Sequence, residues 1–350
     1  MGLGPGRLGL ALMAGSEMAA ATNGDWAGRR VLVTGATGLV GSWLAAELVS
    51  LGADVLALVR SPDPASELYR SGTASRLAIV SGELEDLATV QRLVAEHDPE
   101  YVFHIGAQAI VGVADRWPLD TFESNVRGTY NLLEACRLHG RSLKSVVVAS
   151  SDKAYGAHDD LPYTEDMELK PTRPYEVSKA AADMIARSYA GSYDMPVTVA
   201  RFGNVYGGGD LNWSRIVPGT LRSLIAGESP IVRSDGTFVR DYIYVRDVVD
   251  AYLALASADR SVTAGRAFNF SPERPVTVLE MVDAIRGLVG PSSLDPTILG
   301  EASDEIKSQY LSCDRAKREL GWSASRSLKD GLAETIDWYR TCLDGPGSSI

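Results

Sequence analysis

One stretch constrains this chain more than any other: Val31-Leu32-Val33-Thr34-Gly35-Ala36-Thr37-Gly38-Leu39-Val40-Gly41. A β-branched run of strand length passes directly into three glycines and then into a helical period. Gly35 permits a tight turn, Gly38 lets the backbone approach a pyrophosphate, and Gly41 lets helix and strand pack closely. The helix start behind them offers free N–H groups and a partial positive charge. The spacing is Gly-x-x-Gly-x-x-Gly rather than Gly-x-Gly-x-x-Gly, and a glycine triplet alone is weak; at a first strand–helix junction it predicts a dinucleotide site. Thr37, Leu39 and Val40 join the glycines as expected cofactor contacts, with NAD or NADP as the cofactor.

The pattern that follows supports this. Short apolar runs at Val31–Thr34, Val55–Val59, Leu77–Val80, Tyr101–His104, Ser145–Ala149 and Val197–Arg201 alternate with helical periods at Gly38–Leu51, Leu87–His97, Thr121–His139 and Tyr175–Tyr193. Such alternation predicts an α/β fold, a Rossmann-type doubly wound parallel sheet covered on both faces. Past Gly207 the rhythm changes to helices at Arg215–Ala226, Val245–Ala256, Val278–Val289, Asp314–Leu320 and Leu328–Cys342. A hairpin is expected through Ser234–Thr237 and an extended piece at Pro296–Leu299. The domains expected are a leader over 1–28, a dinucleotide-binding domain over 29–206, a smaller mixed α/β substrate-binding lobe over 207–343 and a tail over 344–350. The 350 residues suit this, exceeding what one hydrophobic core usually holds.

Composition removes other classes. A formal charge of −11 argues against nucleic acid as a partner. No apolar run approaches the length that crosses a bilayer, so no membrane is expected either. The segment Leu8–Ala14 after Arg7 imitates a signal peptide only until Gly15, Ser16 and Glu17 interrupt it, and Met18 is an alternative start. Cys136, Cys313 and Cys342 are far apart, and His97, His104, His139 and His158 lack ligand spacing. A reducing, cytoplasmic setting and no metal are therefore expected.

The second strand ends in Arg60, where an arginine would accommodate the 2′-phosphate of NADP; a solvated or adenine-stacking arginine is the alternative. Tyr175 and Lys179 stand one turn apart on a predicted helix, so an ammonium can lower the phenol's pKa and make it a base. Ser151, at the end of the fifth strand, can share the substrate proton with Tyr175.

Together Gly35-x-x-Gly38-x-x-Gly41, Ser151 and Tyr175-x-x-x-Lys179 resemble the extended short-chain dehydrogenase/reductase family of nucleotide-sugar epimerases and dehydratases. His104-Ile-Gly-Ala-Gln108, Asn125-Val-Arg-Gly-Thr129, Arg201-Phe-Gly-Asn-Val-Tyr-Gly207 and Arg240-Asp-Tyr-Ile-Tyr-Val245 extend the resemblance from about Arg29 to Tyr339. It implies cofactor contacts at Glu83, Leu84, Gly106, Ala107, Gln108 and Asn125 besides Tyr175 and Lys179. Glu83 stands where an aspartate is usual and Gly106 where alanine is. Substrate contacts are implied at Asn204, Arg215 and Arg240, arginine being suited to phosphate; for Arg240 the alternative is an ion pair with Asp241 or Asp247.

After the catalytic hydroxyl come Asp152-Lys153, a pair similar to that of CDP-glucose 4,6-dehydratases. The resemblance implies a nucleotide-sugar 4,6-dehydratase, CDP-glucose favoured and GDP-mannose next, with Asp152 the acid and Lys153 the base. That role requires the lysine pKa to fall through burial or a neighbouring cation such as Lys179. A 4-epimerase or reductase, in which the pair does no chemistry, is the alternative, and a non-catalytic dinucleotide sensor a remote one. The helices Thr121–His139 and Tyr175–Tyr193 resemble those that pair across a two-fold axis, which implies a homodimer.

Overall fold

The computed structural model describes residues 25–289, 294–301 and 305–343. Its centre is a parallel sheet of β1 (Arg30–Thr34), β2 (Asp54–Val59), β3 (Ala78–Ser81), β4 (Tyr101–His104), β5 (Ser145–Ser151) and β6 (Val197–Phe202). A seventh strand, β11 (Ala267–Phe270), completes the order β3-β2-β1-β4-β5-β6-β11. The short run Ala-Phe-Asn-Phe gave no strand expectation; Phe268 and Phe270 are fully buried there, each side chain stabilising the sheet by about 1.5–3 kcal/mol.

Alternation along the strands makes two cores. Val31, Val33, Phe103, Val147 and Phe202 pack under helices Leu39–Ser50 and Val245–Ser257. Leu32, Val102, Val146 and Val148 face helices Leu87–His97, Gly128–His139 and Pro174–Tyr193 on the other side. The arrangement is a Rossmann-like three-layer α/β fold. The leader expected over 1–28 lies outside the described residues as far as residue 24, but Trp26 is 3% exposed and packs on Tyr101 and Phe103, so the folded chain starts before Arg29. The 344–350 tail also lies outside the described residues.

The smaller lobe packs Leu221, Tyr242, Tyr244, Met281, Ile285, Leu332 and Tyr339 between helices Ile216–Ile225, Val278–Val289 and Leu328–Leu343. Its strands are β7 (Asn204–Tyr206), β8 (Ile231–Val232), β9 (Val239–Arg240), β10 (Tyr242–Tyr244), β12 (Val276–Thr277), β13 (Thr297–Ile298) and β14 (Ser308–Gln309). The expected hairpin is not formed. The chain does turn at Gly236, φ +84°, with Thr237 donating to Asp235, yet β8 pairs with β13 while β9 pairs with β12 and β14. Each strand thus takes its ladder partner from a distant segment of the chain.

Helix starts differ in a way that matters below. Asp86 caps helix Leu87–His97 by accepting from the Ala88 and Thr89 amides, whereas Gly38 at the head of helix Leu39–Ser50 supplies no side-chain cap. Thr121–His139, expected as one helix, is a helix Pro118–Phe122, a π-turn Glu123–Arg127 and the helix Gly128–His139. Such a bulge re-aims the side chain within it, here Asn125.

Candidate active site

Parallel register brings the strand ends to one edge: Thr34 pairs with Leu58 of β2 and with His104 of β4, and Val59 pairs with Ser81. The order reverses between β1 and β4, the crevice where open α/β sheets bind ligands. Gly35 sits there at φ +73°, and a Cβ on it would lie 2.7 Å from the Gly106 backbone. A Cβ on Gly41 would lie 2.1 Å from the Gly35 carbonyl oxygen. One on Gly38 would meet only that oxygen, at 3.4 Å, and otherwise point into the space before the uncapped helix. Close strand–helix packing and an open approach to bare amides fit a dinucleotide's pyrophosphate.

The walls are preassembled. Thr34 Oγ1 is bonded to His104 Nδ1 at 2.9 Å and accepts from the Gly106 amide at 3.0 Å; His104 Nε2 meets Thr129 Oγ1 at 2.9 Å. Burial drives the His104 pKa down to about 3, so the ring stays neutral. Asn125 accepts from the Gln108 amide at 2.6 Å and donates to the Gln108 carbonyl at 3.0 Å and to Ser178 at 2.9 Å. Its polar atoms are thus engaged within the protein, tying Gln108 to the Tyr175 helix. Arg60 and Glu83 are exposed, one and two residues past the last β2–β3 pair, Val59 with Ser81. Leu84 lies against Gly106 and Gly128, while Ala107 and Gln108 continue the half-buried wall. Thr37, Leu39 and Val40 are partly exposed beside the glycines.

Across the crevice, Pro174 opens helix Pro174–Tyr193 and the Glu176 carboxylate accepts from the Arg173 amide at 3.2 Å, fixing where Tyr175 emerges. Tyr175 is 8% exposed and stands close to Ser151. Lys179, one turn on, donates to the Ala149 carbonyl at 3.1 Å. Burial pushes Tyr175 up to about 12, and the cation that opposes it is Arg215 rather than the expected Lys179. The lysine that burial depresses is Lys179 itself, to about 8.

Asp152 is 1% exposed; its Oδ1 accepts from Ser151 Oγ at 2.9 Å and its Oδ2 has no partner. The half-buried Lys153 donates through Nζ to Gln309 Oε1 at 3.2 Å. Arg215, heading helix Ile216–Ile225, pairs with Asp210 at 3.0 Å. Asn204 lies half-buried on β7, opposite Tyr242. Arg240 pairs with Glu305 at 3.3 Å, not with Asp241 or Asp247. Gln309 and Tyr163, absent from the sequence reading, and Asp241, read there only as a possible partner of Arg240, join this cluster: Gln309 is opposite Arg240 in the β14–β9 ladder, and Tyr163 donates to the Gly156 carbonyl at 2.6 Å. Among the described residues no cluster of His, Cys, Asp and Glu could hold a metal ion, and no helix is long and apolar enough to cross a membrane.

A neutral, glycine-lined dinucleotide cradle facing a buried Ser–Tyr–Lys group defines a nicotinamide-dependent enzyme site. The model of the NAD dependent epimerase/dehydratase family matches residues 31–271, and the chain belongs to that family, with NAD as its cofactor. It is 30% identical to CDP-glucose 4,6-dehydratase of Salmonella typhimurium over 91% of this chain and 93% of that one. It is 32% identical to UDP-glucose 4-epimerase of Mycolicibacterium smegmatis over 89% and 98%. A double mutant of dTDP-glucose 4,6-dehydratase from Streptomyces venezuelae, solved with NAD bound, superposes with a TM-score of 0.82 at 25% identity, covering 90% of this chain and 98% of that one.

Proposed function

We propose that the protein is a nucleotide-sugar 4,6-dehydratase, converting an NDP-hexose, CDP-glucose first and GDP-mannose next, into the 4-keto-6-deoxy sugar. The observation that carries this is Asp152: a carboxyl group beside the catalytic hydroxyl, almost wholly buried, with one oxygen unpartnered. Burying such an oxygen without a partner costs about 1–3 kcal/mol, which a 4-epimerase has no evident reason to bear. NAD supplies the hydride acceptor and donor. Tyr175 takes the proton of the sugar 4-hydroxyl as C4 becomes a ketone, with Ser151 holding that oxygen. The ketone acidifies C5, Lys153 removes its proton, and Asp152 protonates the departing 6-hydroxyl. Gln309 keeps the lysine aimed, while Arg215, Arg240 and Asn204 serve the diphosphate.

The likeness to UDP-glucose 4-epimerase favours a second reading in which Asp152 and Lys153 are idle. Lys153→Met separates the two. As a dehydratase, the variant still oxidises C4, so reduced-nicotinamide absorbance rises on adding substrate while no deoxy product appears; undiminished turnover would remove Lys153 from the mechanism. We further propose a cytoplasmic homodimer, paired through the exposed Tyr130, Leu138, Met184 and Tyr193 of the two helices on one sheet face; a monomeric mass at micromolar concentration would contradict it.

A further inference from the structure

Asp241 lies beside Asp152 for a reason written in the sheet. Ser151 of β5 and Phe270 of β11 both pair with Phe202 of β6, so Asp152, Gly203 and Ser271 each leave the sheet just past the same end of three neighbouring strands. Gly203 leaves the middle position open, and a Cβ there would lie 3.0 Å from the Asp241 Cβ. Asp241, itself 1% exposed, fills that gap, its Oδ2 accepting from Ser271 Oγ at 2.5 Å and from the Leu311 amide at 2.9 Å. Its Oδ1 is buried without a partner, as is Oδ2 of Asp152.

Among the described residues no neighbouring cation neutralises the two. Lys153 is directed to Gln309, and Arg240 to Glu305 and the Val239 and Lys307 carbonyls. Glu273, past β11, adds negative charge but is held by Lys317 and the Cys313 amide. Tyr163 and Tyr175, the remaining titratable neighbours, are both pushed up to about 12 in the protein without its cofactor and bring no positive charge. Burial, with the Asp152 charge adding to it, raises Asp241 to about 6.

We propose that Asp241 is a positioning residue for the dehydration: across Gly203 it and Asp152 hold one proton between them, and that proton is the one Asp152 delivers to the leaving hydroxyl. The Asp152 charge acts on Asp241 across this dry gap, and a buried carboxyl beside a like charge is favoured in its protonated form. The step balances. Lys153 takes the C5 proton, the C5–H electrons become the C5=C6 bond, and the C6–O electrons leave with oxygen, which accepts the pair's proton and departs as water. The pair takes a new proton from solvent as the site empties, when Tyr175 releases the proton it took from the 4-hydroxyl.

This rests on the dehydratase reading, and Asp241→Asn tests it, since asparagine keeps an oxygen for Ser271 and the Leu311 amide but removes the second charge. The measurements are thermal midpoint, NAD binding, appearance of reduced nicotinamide and release of deoxy product across about pH 5–9. In the parent, dehydration falls as rising pH strips the pair of its proton. In the variant the first three readouts hold, while that falling limb lies at least about one pH unit lower, a roughly tenfold loss of product near pH 7.5. Superimposed limbs, or oxidation and dehydration falling by the same factor, would overturn the inference while leaving the dehydratase reading in place. A parent enzyme that removes water from no nucleotide hexose would overturn both.

Discussion

The two walls of the crevice treat their polar groups in opposite ways. On the cofactor wall the buried side chains Thr34, His104, Asn125, Thr129 and Ser178 satisfy one another. On the sugar wall Asp152, Asp241 and Gln309 each bury a polar atom without a partner, three of the seven such residues among the described ones. A satisfied network is rigid and fixes a cofactor that never changes place; unpaired groups are tolerated where a ligand or a proton completes them. The first wall reads as scaffold and the second as chemistry.

The largest effect that could break this contrast is at the reacting phenol. Tyr175→Phe removes the proton acceptor and little volume, so turnover is expected to fall about 10²–10⁴-fold with NAD binding retained. Near-normal turnover would mean that the chemistry lies elsewhere. A smaller effect is expected from Arg215→Met. The Arg215 charge lowers the phenol's pKa, so its loss raises that pKa and moves the rising limb of the oxidation rate to higher pH by up to about one unit. An unmoved limb accompanied by a raised KM would restrict Arg215 to the diphosphate.

The smallest effect is on the scaffold wall. His104 titrates near 3 folded and near 6.5 unfolded, so the unfolded chain binds the extra proton as pH falls between those values. Stability contributed by this site is complete above about 6.5 and declines below it by at most about 1.4 kcal/mol per pH unit. Melting curves of the parent and of His104→Gln should differ in that acid slope; equal slopes would show that the ring is not held neutral by burial.

What could be read from the sequence follows the distance over which each feature is built. The turn Gly35–Gly41 and the pair Tyr175 and Lys179 are contiguous or one turn apart, so local periodicity placed them on their elements, whereas the roles given to Asp152 and Lys153 came from the family resemblance and stand as proposals. Gln309 reaches Lys153 from 156 residues away, on a two-residue strand whose neighbours give no alternation. Asp241 was legible only as a possible ion-pair partner for Arg240, because its place depends on Gly203 and on β11, a strand of four residues. The hairpin at Ser234–Thr237 misled for the same reason: the turn chemistry was local and real, but the pairing partners were remote.

The central claim is that this site eliminates water, and product analysis on the unaltered enzyme tests it most directly. Incubation with NAD and, in turn, CDP-glucose, GDP-mannose, dTDP-glucose and UDP-glucose in deuterated water gives products whose mass and proton spectrum report both C5 and C6. The account predicts one preferred substrate, CDP-glucose, yielding a 4-keto-6-deoxy sugar that carries solvent deuterium at C5. A product of unchanged mass inverted at C4, with the 6-hydroxyl intact and C5 unlabelled, would contradict it.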